Sequence, residues 1–178
     1  MKKNNINDND IILEDLQPSH AIHLYEMMQD DRIYTYIPEN APAAVETLKE
    51  KYKMFSKGSL RKEEVWLNYA IYLSSEKLYI GTLQATVQLD KRIISIAYIL
   101  DPKKWGAGYA KKALSIMLQN SKEQFGHFDY YAYIDTRNER SINLVKSLGF
   151  KCVEYIENAD YFKGSSSNEF VYAKISNK

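Results

Sequence analysis

What this chain lacks narrows it first. Its one cysteine, Cys152, excludes an intrachain disulfide, and three scattered histidines add no ligand set for a dedicated zinc site, so no metal is expected. No apolar run approaches the roughly 20 residues that a membrane span needs. The opening MKKNNINDND has no apolar core of the kind a secretory signal carries. Charge of one sign is missing too: 24 basic residues stand against 23 acidic ones, mixed along the chain, for a net charge of +1. That balance gives no electrostatic case for nucleic acid or a membrane surface as the main partner. A length of 178 residues suffices for one domain with a full core and is short for two. The expectation is a single cytoplasmic domain over residues 10–178, preceded by a polar, Asn-rich and disordered segment at 1–9.

Tyrosine, by contrast, is abundant, with fifteen residues. Many fall in strand-like runs such as FDYYAYI, where aromatic side chains suit a half-buried pleated surface, so most are expected in walls and core.

Periodicity orders the rest. IILEDL reads as a first strand, and SHAIHLYEMM places Ala21, Leu24, Tyr25 and Met28 at helical spacing. AAVETLKEKYKMF gives a second helix through Val45, Leu48, Tyr52 and Phe55. VWLNYAIYL, LYIGTLQATVQL and ISIAYIL read as strands joined by gaps short enough for antiparallel hairpins. A helix from Gly108 to about Phe125 carries Ala110, Ala113, Leu114, Met117 and Leu118 on one face. The strand DYYAYI, the helix SINLVKSLGF ended by Gly149, and the strands KCVEYIE and NEFVYAKI follow, the last two joined by the polar loop NADYFKGSSS. The βαβ unit from Ile94 to Ile134 requires a parallel pair with a right-handed crossover. The fold class expected is α/β (α+β): a mixed, mostly antiparallel central sheet of about seven strands with helices on both faces.

Glycine is scarce, yet two of the seven glycines sit one residue apart in DPKKWGAGYAKKALSIM, where a strand gives way to a helix. In a helix interior each would cost roughly 1 kcal/mol relative to alanine. At a helix entrance they let backbone approach a ligand, next to unpaired N–H groups and the positive end of the dipole. Those features favour an anion, most often a phosphate. An ordinary tight turn is the plain alternative.

The order of elements, with WGAGYA opening the central helix and NERSINLVKSLGF later, resembles the GNAT superfamily of N-acetyltransferases, nearest its ribosomal-protein N-terminal acetyltransferase branch. The resemblance runs from about Ile11 to Ile175. Gly108 and Ala110 take the last two places of the superfamily's glycine signature, while Trp105 stands where Gln or Arg is usual, a replacement familiar in that branch. Asn138, Ser141, Leu148, Gly149 and Phe150 fit the second motif. The resemblance implies acetyl-CoA as cosubstrate and an amine as acceptor, handled by a monomer or homodimer. It implies pyrophosphate on the N–H groups of Gly106, Ala107, Gly108, Tyr109, Ala110 and Lys111. The pantetheine arm would lie between AYILDP and YAYID where these strands splay, bonded by Leu100 and by Asn138, whose side chain also suits a helix N-cap.

Acetyl transfer to an amine needs a deprotonated amine, a polarised thioester carbonyl and a hydrogen-bonded or protonated leaving thiolate. Ile94 and Ser95 stand where many members carry a glutamate base, and Val145 where many carry a tyrosine acid. Ser141, one helical turn earlier, is the candidate to hydrogen-bond the sulfur, against a local capping role. Asp135 is the candidate base, against a turn-capping role, with Glu64 and a water relay as alternatives. Asp30, Asp31 and Glu39 in MMQDDRIYTYIPEN would favour a cationic acceptor. A peptide N-terminus, a polyamine, an aminoglycoside and an amino acid all suit. A non-catalytic acyl-CoA-binding module remains open, as does, more weakly, a nucleotide-binding protein using the same glycine loop.

Overall fold

The computed structural model describes residues 10–176, so the expected disorder of 1–9 lies outside the described residues. Seven strands form one sheet in the order β1-β2-β3-β4-β5-β7-β6. They are β1 (Ile11–Asp15), β2 (Glu64–Leu73), β3 (Leu78–Gln88), β4 (Ile93–Leu100), β5 (Asp129–Asp135), β6 (Lys151–Phe162) and β7 (Ser165–Lys174). All neighbours are antiparallel except β4 and β5. The helices are α1 (Ala21–Leu24), α2 (Val45–Ser56), α3 (Tyr109–Phe125) and α4 (Glu139–Ser147). Among the described residues no helix is long and apolar enough to cross a membrane.

Two apolar clusters put helices on both faces. Leu16, Ala21, Leu24, Met28, Leu48, Tyr52 and Ala70 join α1 and α2 to one face. Ala113, Leu114 and Met117 of α3 and Ile142 and Val145 of α4 pack on the other, against Ile71, Leu83, Ile94 and Tyr130. The tyrosines divide: Tyr34, Tyr52, Tyr109, Tyr130 and Tyr172 are buried, whereas Tyr133 of β5 and Tyr155 and Tyr161 of the edge strand β6 are exposed.

Two local expectations change. The first helical run breaks into a 3-10 turn (Pro18–His20), the single turn α1, and a second 3-10 turn (Met27–Gln29). Ala21, Leu24 and Met28 still face the core, so packing rather than a continuous helical ladder organises a segment this short. The polar loop foreseen at 158–167 is instead a continuation of β6 and β7, closed by Lys163 and Gly164 with φ of 52° and 77°. Two central residues at positive φ make a type I′ hairpin, whose twist suits the flanking strands. Its tip reaches far: the Lys163 ammonium donates to the carbonyls of Tyr34 and Ile37 and straps the loop before α2.

Candidate active site

The parallel pair is short. Register runs Ile93 with Asp129, Ile94 with Tyr130 and Ser95 with Tyr131, and stops there. Beyond Ser95 the two strands part. The Asp101 N–H donates to the Ile80 carbonyl at 2.8 Å, which fixes the phase of the β3–β4 ladder. By antiparallel alternation, Tyr98 and Leu100 then turn their N–H and C=O groups away from β3, into the gap. The Leu100 carbonyl is taken by the Trp105 indole N–H at 2.9 Å. Its N–H, and both groups of Tyr98, face the gap as a strand edge able to bond an amide-bearing chain.

The glycine stretch opens α3 beside that edge. Gly106 and Gly108 have φ of 78° and 87°, the left-handed region where a side chain is strained, and Gly108 is the N-cap. The first turn of α3 therefore presents its N–H groups without intrahelical partners. A cavity of about 250 Å³ lies over it, lined by Leu100, Gly106, Gly108, Tyr109, Ala110 and Lys111, with Lys104 and Arg140 adding positive charge. Ala107, grouped with these in the sequence reading, packs against the core and does not line the cavity. Arg140 stacks on the Trp105 ring, its guanidinium carbon 3.6 Å from the centroid.

Asn138 N-caps α4, accepting from the Ser141 N–H at 3.2 Å, and lines a smaller cavity of about 80 Å³ with Ser141, Tyr98 and Leu100. Ser141 meets Tyr98: their hydroxyl oxygens are 2.9 Å apart. Burial pushes the Tyr98 phenol up, while Ser141 and the Arg140 charge pull the other way, so it stays protonated at neutral pH. Sequence reasoning missed Tyr98. Its signal was a polar-tipped residue on the Ile94, Ile96, Leu100 face of β4, two places before the strand end.

On the α1–α2 side a third cavity, of about 400 Å³, is walled by Met28, Tyr34, Leu48, Tyr52, Phe55 and Ile99. Tyr98, Ile99 and Ile37 line both this cavity and the one holding Ser141, so Tyr98 stands where the spaces adjoin. The Tyr52 side chain is 2% exposed and its hydroxyl has no hydrogen-bond partner.

The candidate bases fare differently. Asp135 is 5% exposed; the Arg137 guanidinium and backbone N–H donate to it at 2.6–2.9 Å and the Ser167 hydroxyl at 2.7 Å. Burial alone would raise its pKa, but the Arg137 and Ser167 hydrogen bonds and the Arg137 charge outweigh it and hold the carboxyl below its ordinary value. A carboxylate so engaged fits the turn-capping role that the sequence also offered for Asp135. Glu64 pairs in register with Gln88, and Gln88 with Ile93. Tyr98 lies five residues further along β4, roughly 17 Å at strand rise. Glu64 also accepts from Ser59 and Trp66, both at 2.8 Å, so its carboxylate is engaged at the far end of the ladder from Tyr98. Asp30 has the same geometry as Asp135. Arg32 forks onto it at 2.9 and 2.6 Å, and that hydrogen-bonded pair pulls its pKa down to about 2. Of the three acidic residues expected on the acceptor side, Glu39 alone lines the 400 Å³ cavity. Among the described residues no group of three or more His, Cys, Asp or Glu is placed to hold a metal.

A mixed seven-stranded sheet, splayed at its central parallel pair beside a glycine-opened helix, defines the acyl-CoA N-acyltransferase fold. The chain belongs to the acetyltransferase (GNAT) domain family, whose model matches residues 10–151. Solved structures agree. An acetyltransferase of the GNAT family from Bacillus anthracis superposes with a TM-score of 0.81 at 17% identity, over 96% of this chain and 97% of that one. The Salmonella typhimurium acetyltransferase that modifies the N-terminal serine of ribosomal protein L7/L12 gives 0.83 at 15%, over 97% and 99%. The microcin C7 self-immunity acetyltransferase MccE, solved with acetyl-CoA and AMP, gives 0.83 at 15%, over 96% and 94%. Identities this low show the shared fold alone. A comparison with curated proteins finds no match.

Proposed function

We propose that the protein transfers an acetyl group from acetyl-CoA directly to a primary amine. One observation carries this reading: the free backbone edge at Tyr98 and Leu100 adjoins the glycine-opened N-terminus of α3. The first-turn N–H groups, with Lys111 and Arg140, suit a pyrophosphate. The edge suits the amide-rich pantetheine arm, and Asn138 lies across from it. The acceptor amine comes from the α1–α2 side through the 400 Å³ cavity.

In this reading the amine nitrogen attacks the thioester carbon while a backbone N–H at the β4 edge stabilises the developing oxyanion. The new C–N bond forms as the C–S bond breaks. Tyr98 and Ser141 act as one hydrogen-bonded pair on the departing thiolate; one of the two hydroxyls supplies its proton and is reprotonated through water by the proton that the attacking nitrogen sheds as it becomes the amide. With Asp135 and Glu64 engaged elsewhere, the ammonium proton leaves through water in the open cavity.

The test is thiol release over a panel of amines, run beside melts with coenzyme A. A coenzyme A shift with amine-dependent release supports acetyl transfer. A shift without release from any amine selects a second reading, a non-catalytic acyl-CoA-binding module. The sequestered Asp135, and Val145 buried at 1% exposure in place of an acid, are what favour that reading.

A further inference from the structure

We propose that the acceptor is a singly charged amine carried on an apolar, ring-sized body, and not a polyamine. This deepens the acetyl-transfer reading and rests on it. The 400 Å³ cavity is of a size that takes a small molecule or one side chain, and its lining is mainly apolar and aromatic, with Met28, Leu48, Phe55 and Ile99, while the neutral Thr82 and Gln84 add polar groups from β3. The floor leaves room. Ala97 lies in the middle of β4, a central strand, yet it is exposed, because α1 and α2 leave the sheet open above it.

Charge settles the rest. Only one carboxylate, Glu39, and one ammonium, Lys51, line the cavity, both exposed at its rim, so their formal charges cancel. Asp30 is neutralised by Arg32, and Asp135 by Arg137. The Lys163 ammonium sits on the Tyr34 and Ile37 carbonyls of the cavity's own loop. A cation of two or three charges would leave most of its hydration shell for a wall with one acidic partner and two nearby lysines, which is unfavourable. A monovalent amine needs one partner near the rim or the reacting centre, and the apolar wall then takes its body. Two sources share that chemistry: a free arylalkylamine, and an aromatic residue at a peptide N-terminus.

The experiment compares coenzyme A release with phenethylamine, a Phe-initiated tetrapeptide, spermidine and a Ser-initiated tetrapeptide. At least one aromatic acceptor should exceed both hydrophilic ones at least tenfold in kcat/KM, and the better of the two aromatics identifies the source. Spermidine or the Ser-initiated peptide equalling them would overturn the inference while leaving acetyl transfer standing. Release with none of the four, while coenzyme A still raises the melting temperature, would overturn the inference, and the wider amine panel then decides whether acetyl transfer stands. Ala97→Phe fills the floor. It should lower kcat/KM for the preferred aromatic acceptor at least tenfold and leave the coenzyme A melting shift unchanged. Unchanged kcat/KM in that variant would remove the cavity as the acceptor site.

Discussion

The hydroxyls of Tyr98 and Ser141 meet at 2.9 Å across the splay, one from β4 and one from the first turn of α4, 43 residues apart in sequence. The pair bridges two spaces: Tyr98 lines both the 400 Å³ cavity and the 250 Å³ cavity over α3, and its hydroxyl touches that of Ser141. If it serves the leaving thiolate, Tyr98→Phe and Ser141→Ala should each raise the barrier by roughly 1.5–3 kcal/mol, or about 10- to 150-fold in kcat. The double variant should lose little more than the worse single one, because both act on one sulfur. The coenzyme A melting shift should survive in all three. Fully additive losses would mean that the two hydroxyls act separately.

Cofactor binding has its own test. Coenzyme A at a hundredfold excess over its dissociation constant should stabilise the fold by about 2.7 kcal/mol, with ATP and NAD doing far less. Gly108→Val puts a β-branched side chain at φ 87° on the N-cap of α3. It should abolish the shift and lower the apo protein's stability by roughly 1–3 kcal/mol. Melts that respond to NAD and not to coenzyme A would end the acetyl-CoA reading. A full shift in the Val variant would reduce the glycine stretch to a turn.

How much of this was legible in the sequence depends on what each element buries. Strands β2 to β5 and helices α2 to α4 carry apolar periods because each packs a face on the sheet, and their limits were readable within a few residues. The end of β6 and start of β7 form a hairpin near the sheet edge with mostly exposed side chains, so their residues are polar and read as a loop. The glycine stretch was readable because backbone geometry restricts the residue type. The Tyr98–Ser141 pair was not, since it joins a strand to a helix through tertiary packing that no local period encodes. The burial of Asp135 was not legible either. Yet its partner stood two places on: Asp-x-Arg recurs at Asp30 and Arg32 with the same fork, a local pattern that marks a clamped turn.

The orphan Tyr52 hydroxyl gives a prediction about stability. A buried hydroxyl without a partner has lost its water and gained no bond in return. Tyr52→Phe keeps the ring in its cluster with Leu24 and Leu48 and removes that penalty. Chemical denaturation should show a variant as stable as the parent, or more stable by about 1 kcal/mol. A loss above about 1 kcal/mol would show that the hydroxyl is bonded in solution.

Asp135 now calls for an experiment of a different kind. Its carboxylate ties the end of β5 to Arg137 and to Ser167 of β7, so Asp135→Asn should act on stability rather than on proton transfer. Asparagine cannot accept the guanidinium fork with two oxygens. The loss should be roughly 2–4 kcal/mol at pH 7, between one charged hydrogen bond and a fully buried pair, because Arg137 is half exposed. The sign of the pH dependence follows from the direction of the shift. Asp135 is held below its ordinary value of 3.8, so the unfolded chain takes up the proton first as pH falls. The stabilisation is therefore complete above about pH 5, and is lost through pH 4 and below as the folded-state carboxyl titrates. Wild type and Asp135→Asn should accordingly differ most at neutral pH and converge toward pH 3 in denaturation measurements. Below its melting range the variant should keep kcat within a few-fold, with an unaltered pH–rate profile. Unchanged stability with a large kcat loss that high pH rescues would return Asp135 to the role of base.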